Sequence, residues 1–333
     1  MMTARCSLPP YPTGWCCVGR SDEFAPGTVA VRRVAGEDRI VFRTASGEIG
    51  VVESICPHLG AHLGHGGTVV GESLRCPFHG FCYDRQGTCV TAYKADPPAT
   101  ARLRSWPVHE VSGFVMTWYD AAGRSPLWSL PEYDFSGWSP LRFTSWTVKC
   151  HPQELIENTA DIGHLTELHG YRVAQLEDLK TDGHVLMARV FVHRDLGIFG
   201  AGGGTGIRAR FEIRLNGLGF STVDVVAEEL GVLCRQYLLV TPEDENRVRL
   251  LIGMRVKQTG QGSTLVRMTP RVLFNGLISR FMFREFARDV SQDFDVWNNK
   301  QYLERPALAR ADGPFGAYRK WARQFYPELA QLQ

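Results

Sequence analysis

Cys56-Pro57-His58-Leu59-Gly60 and Cys76-Pro77-Phe78-His79-Gly80, with seventeen residues between His58 and Cys76, carry the densest chemistry in this chain. Each segment offers one thiol and one imidazole. Each also has proline directly after its cysteine and glycine within two residues of its histidine, as tight loops presenting ligands from a small β-scaffold require. Two thiolates and two imidazoles make a transition-metal donor set. A structural zinc site with two cysteines and two histidines pairs them as C-x-x-C and H-x(3–5)-H, not as one of each per loop. Core cysteines and surface histidines assembled by chance would not repeat the proline and glycine placement.

The order C-x-H followed by C-x-x-H resembles a Rieske [2Fe–2S] centre. The resemblance implies that Cys56 and Cys76 hold one iron and His58 and His79 the other, the neutral ligands raising the reduction potential above that of an all-thiolate cluster. Respiratory Rieske proteins add a disulfide-forming cysteine to each loop. Ala61 and Phe78 stand at those places here, a departure that resembles the Rieske domains of ring-hydroxylating-type oxygenases. A Rieske domain alone also serves as an electron carrier, so the rest of the chain must decide.

At 333 residues the chain is long for one domain, and a Rieske domain takes only about its first third. A formal net charge of +2 gives no electrostatic case for nucleic acid, which calls for a clustered basic face. No run of eighteen apolar residues occurs, and Met1 to Pro12 lacks a signal-peptide apolar core. A cytoplasmic protein without a transmembrane segment is expected. Cys6, Cys16, Cys17, Cys82, Cys89, Cys150 and Cys234 are expected to be free thiols of a reducing compartment.

Short apolar runs alternate with turn residues from Gly14 to Trp118. Val29–Val34, Arg39–Arg43, Ile49–Val52 and Phe114–Trp118 read as strands, with turns at 45–48 and 84–87. The segment 121–140, with Pro126, Pro131, Gly137 and Pro140, reads as a linker between a domain at 1–120 and another at 141–333. Beyond it come a helical stretch around His151–His169 and long alternating runs at 184–192, 207–215, 232–240 and 247–256, with a turn at 242–246. These predict a twisted antiparallel sheet. The period becomes helical from Arg271 to Tyr302. The fold class is α+β: an N-terminal all-β domain, then an antiparallel sheet gripping a long helix. The glycine-rich run Gly200–Gly206 fits no nucleotide-binding pattern and reads as a loop.

The helical stretch contains Glu157-Asn158-Thr159-Ala160-Asp161-Ile162-Gly163-His164-Leu165-Thr166-Glu167-Leu168-His169. Two histidines with a later carboxylate make a 2-His-1-carboxylate triad, which leaves positions open on a non-haem Fe(II). On a straight α-helix, i and i+5 lie about 140° apart. His164 and His169 can therefore share an ion only if the helix widens into a π-turn or ends between them, as Gly170 allows. For the carboxylate, Asp289, Asp293 and Asp295 cluster on one helix. If Phe283, Ala287, Val290, Phe294 and Trp297 form its buried stripe, Asp293 lies roughly 80° from the stripe centre and Asp295 roughly 120°. Asp293 is nearer the core.

E-N-x-x-D-x-x-H-x-x-x-x-H, some eighty residues after the second Cys-His loop, resembles the signature of Rieske non-haem iron oxygenases, and the likeness covers nearly the whole chain. It implies a helix-grip catalytic domain after the Rieske [2Fe-2S] domain, with His164 and His169 as ligands of a mononuclear Fe(II). Asp161 would accept a hydrogen bond from a ligand histidine and bridge to His79 of the partner subunit, in a head-to-tail ring of three. Asn158 stands beside it in the motif. Gln292-Asp293-x-x-Val-Trp resembles the family stretch that supplies the carboxylate. Residues 297–306 and 312–326, with Thr241-Pro-Glu-Asp-Glu-Asn, resemble the steroid-acting branch, the 3-ketosteroid 9α-hydroxylases and cholesterol 7-desaturases. The implied function is a terminal oxygenase that hydroxylates or desaturates a steroid or sterol with O2. Another apolar or aromatic substrate, or an electron carrier without the second iron, are the alternatives. Lacking a Rossmann fingerprint, the chain needs a separate NAD(P)H-dependent flavin/iron–sulfur reductase, with or without a ferredoxin.

Overall fold

The structure, a computed structural model, describes residues 5–195 and 206–327. Of the glycine-rich run read as a loop, only Gly206 lies among them, opening a strand. Two compact units form. The first is Thr13–Tyr133 with Thr241–Glu245; the second is residues 5–12, Asp134–Val240 and 246–327. The segment 121–140 contains neither helix nor strand, yet residues 121–133 stay with the first unit. Their anchors are aromatic and apolar. Trp128 meets Trp118 edge-on at 4.6 Å, its carbonyl accepts from Trp15 Nε1 at 2.9 Å, and Leu130 is buried.

In the first unit the alternating runs become three small antiparallel sheets. Val29–Val34, Glu37–Arg43 and Ile49–Glu53 form one; Gly14–Arg20, Phe114–Tyr119 and Val108–Val111 form another. The third runs Thr68–Val70, Ser73–Arg75, Cys82–Tyr83 and Cys89–Thr91. Both expected turns form. At the second, the Asp84 carboxylate accepts from Gln86 and Thr88 N–H groups, and Gly87 (φ +78°) lies where a Cβ would meet the Leu103 carbonyl at 2.1 Å. Ile40, Phe42, Val52, Leu63, Leu74 and Tyr83 pack into one core with Cys56 and Cys76 among them. All nine cysteines are free.

The second unit is a seven-stranded sheet, ordered Arg142–Val148, Arg247–Gln258, Val232–Asp244, Phe220–Ala227, Gly206–Asn216, Val185–Asp195, Val173–Asp182. Three of these strands were not legible as alternating runs. Val173–Asp182, for instance, is a bulged edge strand with mostly exposed polar residues. The turn expected at 242–246 shrinks to Glu245-Asn246, because the strand continues through Pro242 to Asp244. That extension is held in the first unit, where Thr241 donates to the Cys17 carbonyl at 2.8 Å and Ala35 and Gly36 N–H donate to the carbonyls of Pro242 and Glu243.

The expected helix over His151–His169 is three short pieces: α1 (Pro152–Ile156), a 3-10 turn (Glu157–Thr159) and α2 (Gly163–Glu167). After the sheet come α3 (Thr264–Met268), α4 (Arg271–Leu273), a π-turn (Phe274–Ile278), α5 (Ser279–Gln292) and α6 (Phe294–Asn299). The helical period thus stops three residues before Tyr302. On α5 the buried positions are Ser279, Phe286 and Val290, with Phe283 and Ala287 only half-buried. The C-terminal α7 (Phe315–Ala322) docks on α1 and the 3-10 turn. Tyr318 Oη donates to the Gln153 carbonyl at 2.8 Å, and Arg319 pairs with Glu157 through two hydrogen bonds of 2.5 and 3.1 Å.

Candidate metal centres and substrate pocket

The two Cys-His loops share one backbone frame. In each, the cysteine N–H donates to the carbonyl five residues on (Cys56 to Ala61, 2.8 Å; Cys76 to Phe81, 2.7 Å). The glycine four residues on donates back to the cysteine carbonyl (Gly60, 3.0 Å; Gly80, 3.1 Å). Gly60 and Gly80 adopt φ of +76° and +72°, the left-handed region that disfavours a side chain. The cysteines point into the core, 1% and 2% exposed, while Leu59 and Phe78 stand at the surface beside the histidines. The His58 and His79 rings lie 4.7 Å apart at 78°, with Phe81 stacked on His58 at 4.4 Å.

A metal cluster fits this cradle. His79 Nδ1 is buried without a hydrogen-bond partner, as a ring nitrogen reserved for a metal would be. Burial pushes the Cys76 thiol up while the N–H groups of Phe78 and His79 pull it down; those same donors would stabilise a sulfur bound to iron. Tyr83 Oη lies 3.2 Å from Cys56 Sγ, and burial pushes the Tyr83 phenol up, so the hydroxyl keeps its proton and can donate to a thiolate. Tyr83 escaped the sequence reading, since nothing in its spacing marks it.

His164, His169 and Asp293 present ligand atoms that all lie within 4.8 Å of one another. Both features that could free the i,i+5 pair occur. His169 N–H bonds to the His164 carbonyl at 3.2 Å, a π-type bond, and Gly170 ends the turn at φ +68°. The two rings sit 5.1 Å apart at 75°. Asp293 is buried at the break between α5 and α6, its Oδ2 3.5 Å from His169 Nε2. Asp295 is exposed, and Asp289 is engaged by both terminal nitrogens of Arg194.

Each of the three side chains is held by a neighbour. His169 Nδ1 lies 2.8 Å from Gln292 Oε1, and His164 Nδ1 contacts the Asp161 backbone carbonyl. Both partners are oxygens that only accept, so Nδ1 of each ring donates and Nε2 is the nitrogen left to bind a metal. Asn158 Nδ2 donates to Asp293 Oδ1 at 3.1 Å. This arrangement fits a divalent ion bound by two neutral imidazoles and one carboxylate. The Asp161 carboxylate does not take the ring hydrogen bond that was expected of it. It is 3.8 Å from His164 Nδ1 because its Oδ1 instead accepts the His164 backbone N–H at 3.2 Å. Burial raises the Asp161 carboxyl, but hydrogen bonds and charge from His164 outweigh that and hold it below the usual carboxylate value. Gln292 was visible in sequence only as the first letter of Q-D-x-x-V-W.

The three residues open onto a cavity that is partly open to solvent. Its walls are mainly apolar, including Leu155, Ile162, Phe211, Leu238, Phe286 and Trp297, with few polar groups such as Gln236 and Ser221. An apolar molecule with one or two polar groups matches that lining.

The model of the 3-ketosteroid 9alpha-hydroxylase C-terminal domain matches residues 117–326, and that of the Rieske [2Fe-2S] domain matches residues 14–107. The chain is 30% identical to a cholesterol 7-desaturase of Bombyx mori, over 96% of this chain and 70% of the relative. It is 25% identical to the oxygenase component of a 3-ketosteroid-9-alpha-monooxygenase of Rhodococcus rhodochrous, over 97% and 85%. In fold it is similar to dicamba monooxygenase with non-heme iron and dicamba (TM-score 0.64, 20% identity, 97% of this chain and 99% of that one).

Proposed function

This chain belongs to the Rieske oxygenases with a 3-ketosteroid 9α-hydroxylase C-terminal domain, and from that premise we propose that it hydroxylates or desaturates a steroid or sterol. It is an oxidoreductase with a Rieske [2Fe–2S] cluster and a mononuclear non-haem iron. The observation that carries the substrate class is the apolar cavity around His164, His169 and Asp293. O2 is the co-substrate. Electrons come from a separate NAD(P)H-dependent flavin/iron–sulfur reductase, directly or through a ferredoxin. The site of action is the cytoplasm; among the described residues no helix is long and apolar enough to cross a membrane.

In this reading Cys56, His58, Cys76 and His79 hold the cluster, and His164, His169 and Asp293 hold the iron. When bound, these groups relay single electrons and activate O2. The protein's own contribution is positional. Gln292 and the Asp161 carbonyl fix both imidazoles in the tautomer that offers Nε2. Asn158 occupies one carboxylate oxygen of Asp293 and leaves the other facing His169. The apolar walls exclude water and hold the substrate beside the histidines. The Asp161 side chain keeps 36% of its surface exposed; in a ring of three copies it would meet His79 of the partner subunit.

A single turnover tests the reading. The iron-loaded chain is reduced chemically, mixed with O2 and a panel of sterols and 3-ketosteroids, and its products are weighed by mass spectrometry. One oxygen gained or two hydrogens lost is the expected result. Protein holding both metal centres that leaves every steroid unchanged would remove the steroid assignment. His164→Ala should abolish turnover while the cluster spectrum persists.

A further inference from the structure

One face of the second unit is both apolar and cationic. Leu265, Met268, Val272 and Leu277 are 66–86% exposed, and Leu273 and Phe281 are 44% and 43% exposed. Arg267, Arg271, Arg280 and Arg284 stand exposed among them. None of the four is paired with a carboxylate among the described residues, and no Asp or Glu occurs between Glu245 and Glu285. On α5, Phe281, Arg280 and Arg284 lie within an arc of about 100° on an ideal helix, and Leu277 and Leu273 precede Phe281 at four-residue steps through the π-turn. The opposite side of α5 carries the buried Ser279 and Phe286.

The backbone beneath this face is fastened. Gln258 Nε2 donates to the carbonyls of Val266 and Thr269 at 2.8 and 3.0 Å. Arg142 donates to the Asn275 and Gly276 carbonyls loosened by the π-turn, and to Ser279 Oγ. The apolar side chains are therefore displayed by a fixed support. Large exposed apolar side chains mark an interaction surface. Phe and Leu mixed with arginine, and free of acids, is the composition of a helix lying at a lipid interface, where guanidinium groups meet phosphates and side-chain stems lie along the acyl boundary. A second copy meeting this face about a two-fold axis would set arginine against arginine, and a head-to-tail copy would have to bring a different, acidic patch to it.

We infer that this face, centred on Leu277, Phe281, Arg280 and Arg284, docks the protein on an anionic phospholipid surface. The same α5 supplies Phe286 and Val290 to the cavity wall, so docking would hold the helix that borders the substrate cavity against the bilayer. The test uses the full chain with both metal centres and sterol-free vesicles, of phosphatidylcholine alone or with about a third phosphatidylglycerol. Sedimentation with the anionic vesicles should be roughly tenfold stronger than with neutral ones, weaken at high salt, and disappear in Leu277→Asp/Phe281→Asp. Should that variant misfold, Arg280→Gln/Arg284→Gln carries the question, and must lose the anionic preference. Absence of binding, or unchanged binding in a folded variant, overturns the inference. So does a wild-type oligomer that the variants dissociate in light scattering, which would make the face a subunit contact. No substrate is present, so the outcome is independent of the steroid assignment.

Discussion

Gln292 turns a compositional guess into a physical requirement. Its side-chain oxygen can only accept, so it dictates which nitrogen of His169 faces Asp293. Gln292→Leu removes the acceptor and should weaken mononuclear iron binding about 10–100-fold with the cluster spectrum unchanged. Gln292→Glu, which still accepts, should restore most of it. Iron counted per chain before and after mild chelation reads the difference; equal retention in all three proteins would rule out a positioning role. Tyr83 makes the parallel case at the cluster. With Cys56 as a cluster ligand its hydroxyl would stabilise charge on Sγ, more so in the reduced state, so Tyr83→Phe should lower the cluster's reduction potential. A spectroelectrochemical titration showing no downward shift would mean the hydroxyl does not donate to the sulfur.

Short elements, not one helix, bring His164, His169 and Asp293 together. A helix continued through His169 would turn His164 and His169 apart, which α2 avoids by ending at Glu167; the separate break after Thr159 lets α2 reorient as a whole. The C-terminal segment braces that break. A Cβ on Gly313 would lie 1.7 Å from the Ala160 carbonyl, so Gly313→Ala must push the loop that carries Asp161 and His164. Loss of the mononuclear iron with retention of the cluster is expected, and intact iron occupancy would show that the loop yields harmlessly. At the start of α1, His151 accepts the Gln153 N–H and donates to the Pro9 carbonyl, and burial depresses its pKa to about 4. The unfolded imidazole titrates near 6.5, so the unfolded chain takes up a proton that the fold refuses. Stability present above about pH 6.5 is lost as pH falls toward 4, on the order of 3 kcal/mol from this group. His151→Asn keeps an acceptor for the cap and removes the titration. Its unfolding free energy should therefore fall less than that of the wild type between pH 7 and 4.5, as denaturant titrations at several pH values would show.

For the whole molecule, the proposed reading has a separate reductase deliver electrons to the two metal centres. Purified protein should hold three irons per chain and oxidise no NADH until a reductase is added. NADH-driven turnover by the chain alone would contradict the proposed division of labour.

Ligand spacing in the Cys-His loops was legible because local geometry governs it: one turn frame with glycine at the fourth position repeats in both loops. Four strands of the first unit, at Val29–Val34, Glu37–Arg43, Ile49–Glu53 and Phe114–Tyr119, were legible for a similar reason, through alternation closed by Gly-containing turns. The two- and three-residue strands of its third sheet are too short to show a period. The sequence by itself determined these local patterns, together with the α+β order and the nearness of Asp293 to the core side of its helix. Only the tertiary structure decided what joins distant parts of the chain. It brought Gln292 to His169, Asn158 to Asp293 and Gly313 under Ala160, across 123, 135 and more than a hundred residues. It also gave the Asp161 ring contact to a backbone carbonyl in place of the carboxylate. Periodicity reports which face of an element turns inward, but the partner waiting there is fixed only when sheet and helices close around a shared core.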